Sequence, residues 1–301
     1  MEKFSFILSE EEAGIPLKKV IKNKYHFSSR LMTKIKYQDL LMLNDEKVPG
    51  YKTGNAGDKV TVSIPDEVSH FEPEDIPIDV IYEDSDFLVI NKQPGITCHP
   101  TKGHKTHTMA NAIMKYMQDT DQSFKIRFIN RLDMDTSGVL MIGKNSFVQA
   151  ELIKQMDKDT TEKKYLAVAK GKFPEKSFLI DLPIGHPLEG VAREVVTDGS
   201  DRGYPSKTQV DVLEEYKDAT LVQVTLLTGR THQIRVHLSH LGNPLIGDQL
   251  YGGPTGVFNR QALHALSFSC YHPVTKEPMT FEAKIPRDLE DLMATLKNNR
   301  A

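Results

Sequence analysis

Residues 125–143, KIRFINRLDMDTSGVLMIG, place two short apolar runs on either side of a polar loop. The runs KIRFI and GVLMIG have the composition of buried strands, and the loop between them is rich in hydrogen-bonding side chains. A polar loop held between rigid strands is a favourable place for a catalytic carboxylate. The residue types do not choose between Asp133 and Asp135. Aspartate, threonine and serine in a turn also commonly satisfy only their own backbone.

A second polar segment, TGRTHQIRVH at residues 228–237, follows the strand-like run ATLVQVTLL. Thr231 is placed to cap a helix that begins here, and Arg235 lies beside the apolar stripe of that helix. A partly buried arginine needs a carboxylate partner, although a surface arginine with its stem on the core gives the same pattern. The histidines of this segment lack the spacing of a zinc site, so no metal is expected. The apolar positions of the helix are Ile234, Leu238 and Leu241.

The third informative segment is the strand KKYLAVAKG, which begins at Lys163. Strand alternation puts Tyr165 on the same face as Ala167 and Ala169. Two alanines beside a tyrosine leave room for a flat ring to lie against it. A tyrosine packed on a thin part of the core is an equally good interpretation.

Composition excludes several classes of protein. The chain has 301 residues, 39% of them hydrophobic and 26% charged, as in an ordinary soluble globular protein. No apolar run approaches the roughly 18 residues of a membrane-spanning helix. The opening residues are too acidic for a secretion signal. Cys98 and Cys270 form neither a disulfide framework nor a metal motif. A cytosolic location is therefore expected.

Charge is unevenly distributed along the chain and indicates a domain boundary. Residues 13–38 carry seven lysines and arginines and no acid, whereas residues 64–86 carry nine acids and no lysine or arginine. The acidic stretch also contains prolines, a combination typical of an extended, solvated connector. We therefore predict an N-terminal domain at 1–66, an acidic linker at 67–77 and a larger domain at 78–301. Strands and helices of the larger domain lack regular βαβ spacing, which predicts an α+β fold with a mainly antiparallel sheet.

The N-terminal pattern of two helices and short strands resembles the small α/β alpha-L RNA-binding domain. Loose matches occur at Ser28–Arg30, at the turn and strand Asn44–Val48, and at the strand Gly57–Val60, while the usual glycine before the turn is missing. The resemblance implies that the lysine-rich helices hold RNA phosphates. A helical cap that only packs on the rest of the chain is the alternative.

The larger domain closely resembles the RluA-type family of RNA pseudouridine synthases. Its signature Arg-Leu-Asp-x-x-Thr-Ser-Gly is met by residues 131–138, and Gly-Arg-Thr-His-Gln-Ile-Arg-Val-His by residues 229–237. One departure is Asn130, where the family usually has histidine. Further matches in order are Asn91, Lys92, Pro94, Gly95, residues 242–248, residues 260–265 and His272-Pro273.

This resemblance implies a pseudouridine synthase fold, with a mixed sheet and flanking helices, and an isomerase that acts on RNA. Asp133 would attack the target uridine, and Arg235 would keep Asp133 ionised and oriented. Tyr165 would stack on the extruded base, and Arg131 would fill the space that the base leaves. The reaction is an isomerisation, so no cofactor is expected. Ribosomal RNA is the favoured partner and transfer RNA the alternative, and the protein is expected to act as a monomer.

Two other functions fit parts of the sequence. Residues 133–136, Asp-Met-Asp-Thr, fit the loop of aspartate-nucleophile phosphatases, which use magnesium and a doubly wound parallel sheet. Residues 78–150 lack the βαβ spacing of such a sheet. A non-catalytic RNA-binding protein that keeps the same fold is the second alternative, and intact Asp133, Tyr165 and Arg235 argue against it.

Overall fold

The computed structural model describes residues 2–25, 27, 29–64, 67–101, 103–158, 160–187 and 192–298. Its N-terminal unit contains the two predicted helices and a four-stranded antiparallel sheet in the order β1-β4-β2-β3. The strand β1 was not expected from the sequence, and Ser28 lies outside the described residues. The elements of this unit are β1 (Glu2–Ile7), α1 (Leu17–Tyr25), α2 (Ser29–Tyr37), β2 (Leu41–Leu43), β3 (Glu46–Lys47) and β4 (Lys59–Ile64).

A ten-stranded sheet forms the larger unit, and eight of its strands run in the order β10-β14-β15-β9-β16-β8-β6-β5. Two more strands, β7 and β17, pair with β8 and β16. Among the described strands, the β16–β8 pair is parallel and the others are antiparallel, which confirms the predicted mixed, mainly antiparallel sheet. Its strands are β5 (Asp79–Glu83), β6 (Phe87–Lys92), β7 (Arg127–Phe128), β8 (Ser137–Gly143), β9 (Glu162–Lys170), β10 (Ser177–Asp181), β14 (Lys207–Glu215), β15 (Ala219–Leu226), β16 (Leu263–Tyr271) and β17 (Pro278–Glu282).

Helices and a second, small sheet flank the large sheet. Three very short strands form the small sheet in the order β12-β11-β13. Within the described ranges, none of the helices combines the length and hydropathy needed to cross a bilayer. These elements are β11 (Ile184–Gly185), β12 (Glu194–Val195), β13 (Gly203–Tyr204), α3 (Met109–Asp119), α4 (Ser146–Asp157), α5 (Gln233–His240), α6 (Arg287–Asn298) and a 3-10 turn at Gln249–Tyr251.

Strand alternation divides the side chains of β9 between two apolar clusters, as the sequence predicts. Tyr165 and Ala167 belong to the cluster that lies under α3 and α5, whereas Leu166 and Val168 pack with Leu289 of α6. The face that carries Tyr165 therefore also carries the small side chains of Ala167 and Ala169, which leave room beside the tyrosine ring.

The N-terminal unit shares a core with the large sheet. Phe4 of β1 and Phe27 pack edge-to-face on Phe147 of α4, with ring centroids 4.9 and 5.3 Å apart. The same cluster contains Phe87 and Val89 of β6, both fully buried. These aromatic contacts bury apolar surface from both units, which stabilises their packing against each other.

The acidic segment that joins the two units is extended but only partly solvated. No helix or strand is formed between 67 and 78, as predicted. Glu67, however, forms ion pairs with Lys34 of α2 and Arg127 of β7, and Ile76 is buried in the main core. The expectation of a fully solvated connector is therefore wrong, because Glu67 pairs with a residue of each unit and Ile76 is buried. The sequence shows the charges of the segment, whereas the bases that neutralise them come from distant parts of the chain.

Candidate active site

A buried lysine, Lys92, binds backbone carbonyl groups of the loop between β7 and β8. Lys92 is fully buried at the end of β6, and its Nζ donates to the carbonyl oxygens of Met134 (2.8 Å) and Thr136 (2.9 Å). Burial lowers the pKa of Lys92 to about 8. At neutral pH this cation satisfies carbonyl groups that would otherwise lack donors, and so it fixes the loop.

Asn130 fixes the start of the same loop. Its side-chain amide donates to the Val139 carbonyl and accepts from the Met141 N–H, each at 2.9 Å. Both backbone groups are on the buried strand β8. Asparagine at this position, where the family usually has histidine, therefore joins the entry and exit strands of the loop.

The exit strand β8 makes a close parallel contact with β16. Gly138 has φ +115°, and a Cβ there would lie 2.2 Å from the Ala265 carbonyl oxygen, so only glycine fits. The neighbouring Ser137 Oγ lies 2.9 Å from His264 Nδ1. Burial lowers the pKa of His264 to about 4, so this histidine is neutral near pH 7.

The geometry distinguishes between the two aspartates of the loop. Asp133 lines a cavity of about 480 Å³, while Asp135 does not. Arg235 Nη1 donates to Asp133 Oδ2 at 3.0 Å. Asp135 instead offers its backbone carbonyl to Arg260 Nη1, also at 3.0 Å, which anchors the outer side of the loop.

Arg235 is buried and is held by a second carboxylate, which the sequence analysis did not identify. Its Nε and Nη2 donate to Asp248 Oδ2 and Oδ1 at 2.7 and 2.8 Å, a bidentate pair that leaves Nη1 for Asp133. Burial by itself would lower the pKa of Arg235, but Asp248 and then Asp133 raise it above its ordinary value. The sequence feature that could have identified this carboxylate was the family motif at residues 242–248, which ends at Asp248.

Tyr165 and Arg131 complete the predicted set, and both line the cavity with Asp133 and Arg235. Tyr165 is buried, and its burial, together with the nearby Asp133, raises the pKa of its hydroxyl group. Arg131 is exposed at the mouth of the cavity. The structure thus brings together all four residues that the sequence indicated, from three segments separated by up to about a hundred residues.

The start of α5 differs from the prediction. Thr231 does not cap the helix; the cap position is occupied by His232, which has left-handed backbone angles (φ 58°, ψ 18°) and makes no capping bond through its side chain. Gln233 Oε1 instead accepts from the Arg230 N–H at 2.9 Å. Leu241, predicted on the buried face, is 43% exposed because the helix ends one residue earlier.

The left-handed turn places His232 beside the carboxylate. Tyr251 Oη accepts the Arg193 N–H at 2.9 Å and lies 2.9 Å from His232 Nδ1. When Tyr251 donates its own proton to Nδ1, the ring proton is on Nε2, which lies 3.8 Å from Asp133 Oδ1. Burial lowers the pKa of His232 below its ordinary value of 6.5, so the ring is mainly neutral at pH 7.

Comparison with known proteins places this site in a family. Residues 86–240 match a family model described as RNA pseudouridylate synthase. The "Uncharacterized RNA pseudouridine synthase YhcT" of Bacillus subtilis is 36% identical over 292 residues, which cover 96% of each chain. The chain belongs to the RNA pseudouridine synthases. It is accordingly an isomerase that modifies RNA, and the predicted RluA-type membership is confirmed.

Other proteins that are similar to this pseudouridine synthase support the same family assignment. "Ribosomal large subunit pseudouridine synthase D" of Pasteurella multocida is 35% identical over 287 residues, covering 89% of this chain and 86% of that protein. The solved structure of "Human RNA Pseudouridylate Synthase Domain Containing 1" covers 76% of this chain and 98% of its own, with a TM-score of 0.58 and 24% identity. This structural likeness confirms the predicted pseudouridine synthase fold.

The fold of the synthase contradicts the alternative function of an aspartate-nucleophile phosphatase. Asp133 lies in a loop between the antiparallel strands β7 and β8, whereas that mechanism requires the end of a strand in a doubly wound parallel sheet. In the described part of the chain, the cluster whose side chains have metal-binding spacing consists of Asp84, Asp86 and His272, and none of these lines the cavity.

Proposed function

We propose that the protein converts a uridine of ribosomal RNA to pseudouridine, with Asp133 as the catalytic nucleophile. The observation that carries this proposal is the pairing of Asp133 with the buried Arg235 at 3.0 Å inside the 480 Å³ cavity, beside Tyr165. Ribosomal RNA is favoured over transfer RNA because a relative such as the Pasteurella multocida protein is named for the large ribosomal subunit.

The chemistry requires only the chain and its substrate. A carboxylate oxygen of Asp133 bonds to the ribose carbon C1′ of the target nucleotide as the bond between C1′ and uracil N1 breaks, and the freed uracil turns within the cavity. C5 of the ring then bonds to C1′, C5 loses its proton, N1 gains one, and the carboxylate is released. Nothing is consumed or left over, so the reaction calls for no cofactor.

The other residues prepare the substrate for this step. A stacked uridine must leave the helix before the carboxylate can reach it. Arg131, exposed at the mouth of the cavity, fills the space that the base leaves and offsets part of the unstacking free energy. Tyr165 stacks on the extruded uracil, a contact worth ~1–3 kcal/mol. Arg235 keeps Asp133 ionised and correctly oriented.

The proposal assigns roles to the predicted domains as well. Residues 1–66 hold RNA phosphates through the exposed lysines of α1, residues 67–77 join the two units, and residues 78–301 carry out catalysis. Phosphate contacts of this kind position the substrate without reading its sequence. The proposal also places the protein in the cytosol as a monomer.

The test compares Asp133→Asn with Asp135→Asn on transcribed ribosomal and transfer RNAs. Asp133→Asn is expected to form no pseudouridine while its RNA affinity changes little, because the side-chain volume is kept and the nucleophile is lost. Asp135→Asn removes the same charge from the same loop and should stay active, since Asp135 does not line the cavity. Pseudouridine mapping by reverse transcription gives the readout, and wild-type activity in Asp133→Asn would contradict the proposal.

A further inference from the structure

A second cavity of about 230 Å³ opens beside the active-site cavity. Arg131 and Arg230 line both cavities, so the two spaces are neighbours on one surface. The far wall of the second cavity is built by the small sheet, through Gly185 of β11 and Tyr204 of β13, and by Arg193, which precedes β12. The proposed reaction gives no role to the three residues of this wall.

The arginines of this second cavity differ from the other arginine side chains that the structure describes. Eight arginine side chains are described, and five of them have a carboxylate oxygen within 4.0 Å. Each of the other three lines the second cavity and has no such carboxylate among the described residues. Three guanidinium groups around one cavity repel each other, and an anion bound between them would offset this repulsion. The five paired residues are Arg127, Arg202, Arg235, Arg260 and Arg287, and the unpaired residues are Arg131, Arg193 and Arg230.

An aromatic ring lies beside these cations. Tyr204 is 59% exposed, and the guanidinium of Arg230 lies 5.8 Å from the centroid of its ring. An exposed ring next to unpaired arginines is the arrangement with which proteins bind single-stranded nucleic acid, since the ring stacks a base and the cations hold the backbone. An acidic peptide would use the arginines but not the flat face of Tyr204.

We propose that the second cavity is a subsite for the nucleotide next to the target uridine. Arg193 and Arg230 hold the phosphodiester of that nucleotide, and Tyr204 stacks its base. Arg131 stands between the two cavities, where it separates the flipped uridine from its neighbour. This subsite rests on the proposed function, because its ligand is the same RNA strand that carries the target uridine.

The test uses a ribosomal RNA fragment that carries one mapped target uridine, and it measures equilibrium binding at several salt concentrations. Arg193→Gln should weaken binding about tenfold and reduce the slope of log K against log salt by about 0.7, because one phosphate contact is lost. Tyr204→Ala should weaken binding about tenfold without changing that slope, because stacking does not release counterions. Arg287→Gln removes the same charge from an exposed side chain that lines neither cavity and should bind like wild type.

A chemically modified fragment locates the contact. Replacing the single phosphodiester beside the target uridine by a neutral methylphosphonate should weaken binding to wild type, and it should weaken binding to Arg193→Gln by less, because the Arg193 contact is already absent in that variant and only the Arg230 contact is left to lose. Additive losses, or an Arg193→Gln variant that binds like Arg287→Gln, would overturn the subsite. Binding does not depend on turnover, so this result is separate from the product assay that tests Asp133.

Discussion

Arg235 contacts two carboxylates that have different tasks. Asp248 is fully buried and binds the guanidinium through two of its nitrogens, so it determines the plane of that group. The side chain of Asp133 is more exposed and accepts a hydrogen bond only from the remaining guanidinium nitrogen, Nη1. One carboxylate thus positions the arginine, and the arginine in turn positions the other carboxylate, which stays accessible from the cavity.

Asp248→Asn tests this arrangement at the level of one residue. Removing one partner of a buried ion pair leaves Arg235 undercompensated, so the free energy of unfolding should fall by about 3 kcal/mol. The rate of pseudouridine formation should fall as well, because the guanidinium is no longer held in its plane. Urea unfolding and single-turnover assays provide the measurements.

A matched control for that prediction is Asp288→Asn. Asp288 also forms a bidentate pair, with Arg260, but its side chain is 44% exposed. Solvent screens such a pair, so the loss of stability should stay at or below about 1 kcal/mol. Equal losses in the two variants would show that the burial of Asp248 has no special importance.

At the scale of elements, the loop that carries Asp133 is held by three strands. Asn130 ties the loop to β8, Lys92 supports it from β6, and the β8–β16 pair holds its end through the contact between Ser137 and His264. Each tie is made to a buried backbone or side-chain group. The position of Asp133 therefore depends on the register of the sheet rather than on the loop sequence alone.

The contact between β8 and β16 predicts a dependence of stability on pH. The folded-state pKa of His264, about 4, lies below its ordinary value of 6.5. Between pH 6.5 and 4 the unfolded chain therefore binds a proton that the folded protein does not, and the free energy of unfolding falls as pH falls, by up to about 3 kcal/mol.

Urea unfolding at pH 7, 6 and 5 measures this effect. Paired carboxylates such as Asp84 and Asp288, whose pKa values are lowered in the fold from 3.8, lose their stabilising contribution only at lower pH, below about 4, so they add little to the loss in this range. The comparison with His264→Asn isolates the histidine, since asparagine can still bond Ser137. The variant should lose less stability between pH 7 and 5 than wild type, and an identical pH dependence would refute the assignment to His264.

At the scale of the whole molecule, the shared core changes what can be expected of a truncated protein. Phe147 packs against Phe4 and Phe27 of the N-terminal unit, in one apolar cluster with residues of both units. Deletion of residues 1–66 would expose this side of Phe147 and open the shared cluster, so the larger unit is not expected to stay well folded without the smaller one. Charge removal from the intact chain is therefore the better test of RNA binding by the N-terminal helices.

The triple variant Lys18→Gln, Lys19→Gln and Lys22→Gln should reduce the slope of log K against log salt by about 2, since each lost phosphate contact contributes about 0.7. All three side chains are exposed on α1, so the unfolding midpoint should not change. The same substitutions at Lys172, Lys217 and Lys284, which are exposed and line neither cavity, serve as the control. A slope equal to that of wild type would show that the N-terminal unit only caps the fold.

The sequence by itself determined the strand β9, the helix α5 and the polar loop between β7 and β8, but its residue types left open whether Asp133 or Asp135 belongs to the site. Alternation on β9 and the apolar stripe of α5 are local patterns, and local patterns follow from backbone geometry. Tyr165 could be assigned to its face because strand neighbours alternate. Arg235 could be expected to need a carboxylate because unpaired buried charge is unfavourable.

Only the tertiary structure decided which groups meet. The choice of Asp133 over Asp135, the second carboxylate on Arg235 and the bases that neutralise Glu67 all depend on contacts between distant segments. Asp133 and Arg235 are separated by 102 positions, and Glu67 and Arg127 by 60. Side-chain periodicity reports the direction of a residue relative to its own strand or helix. It contains no information about the charge that another element brings to that place, and this charge is decided when the chain packs.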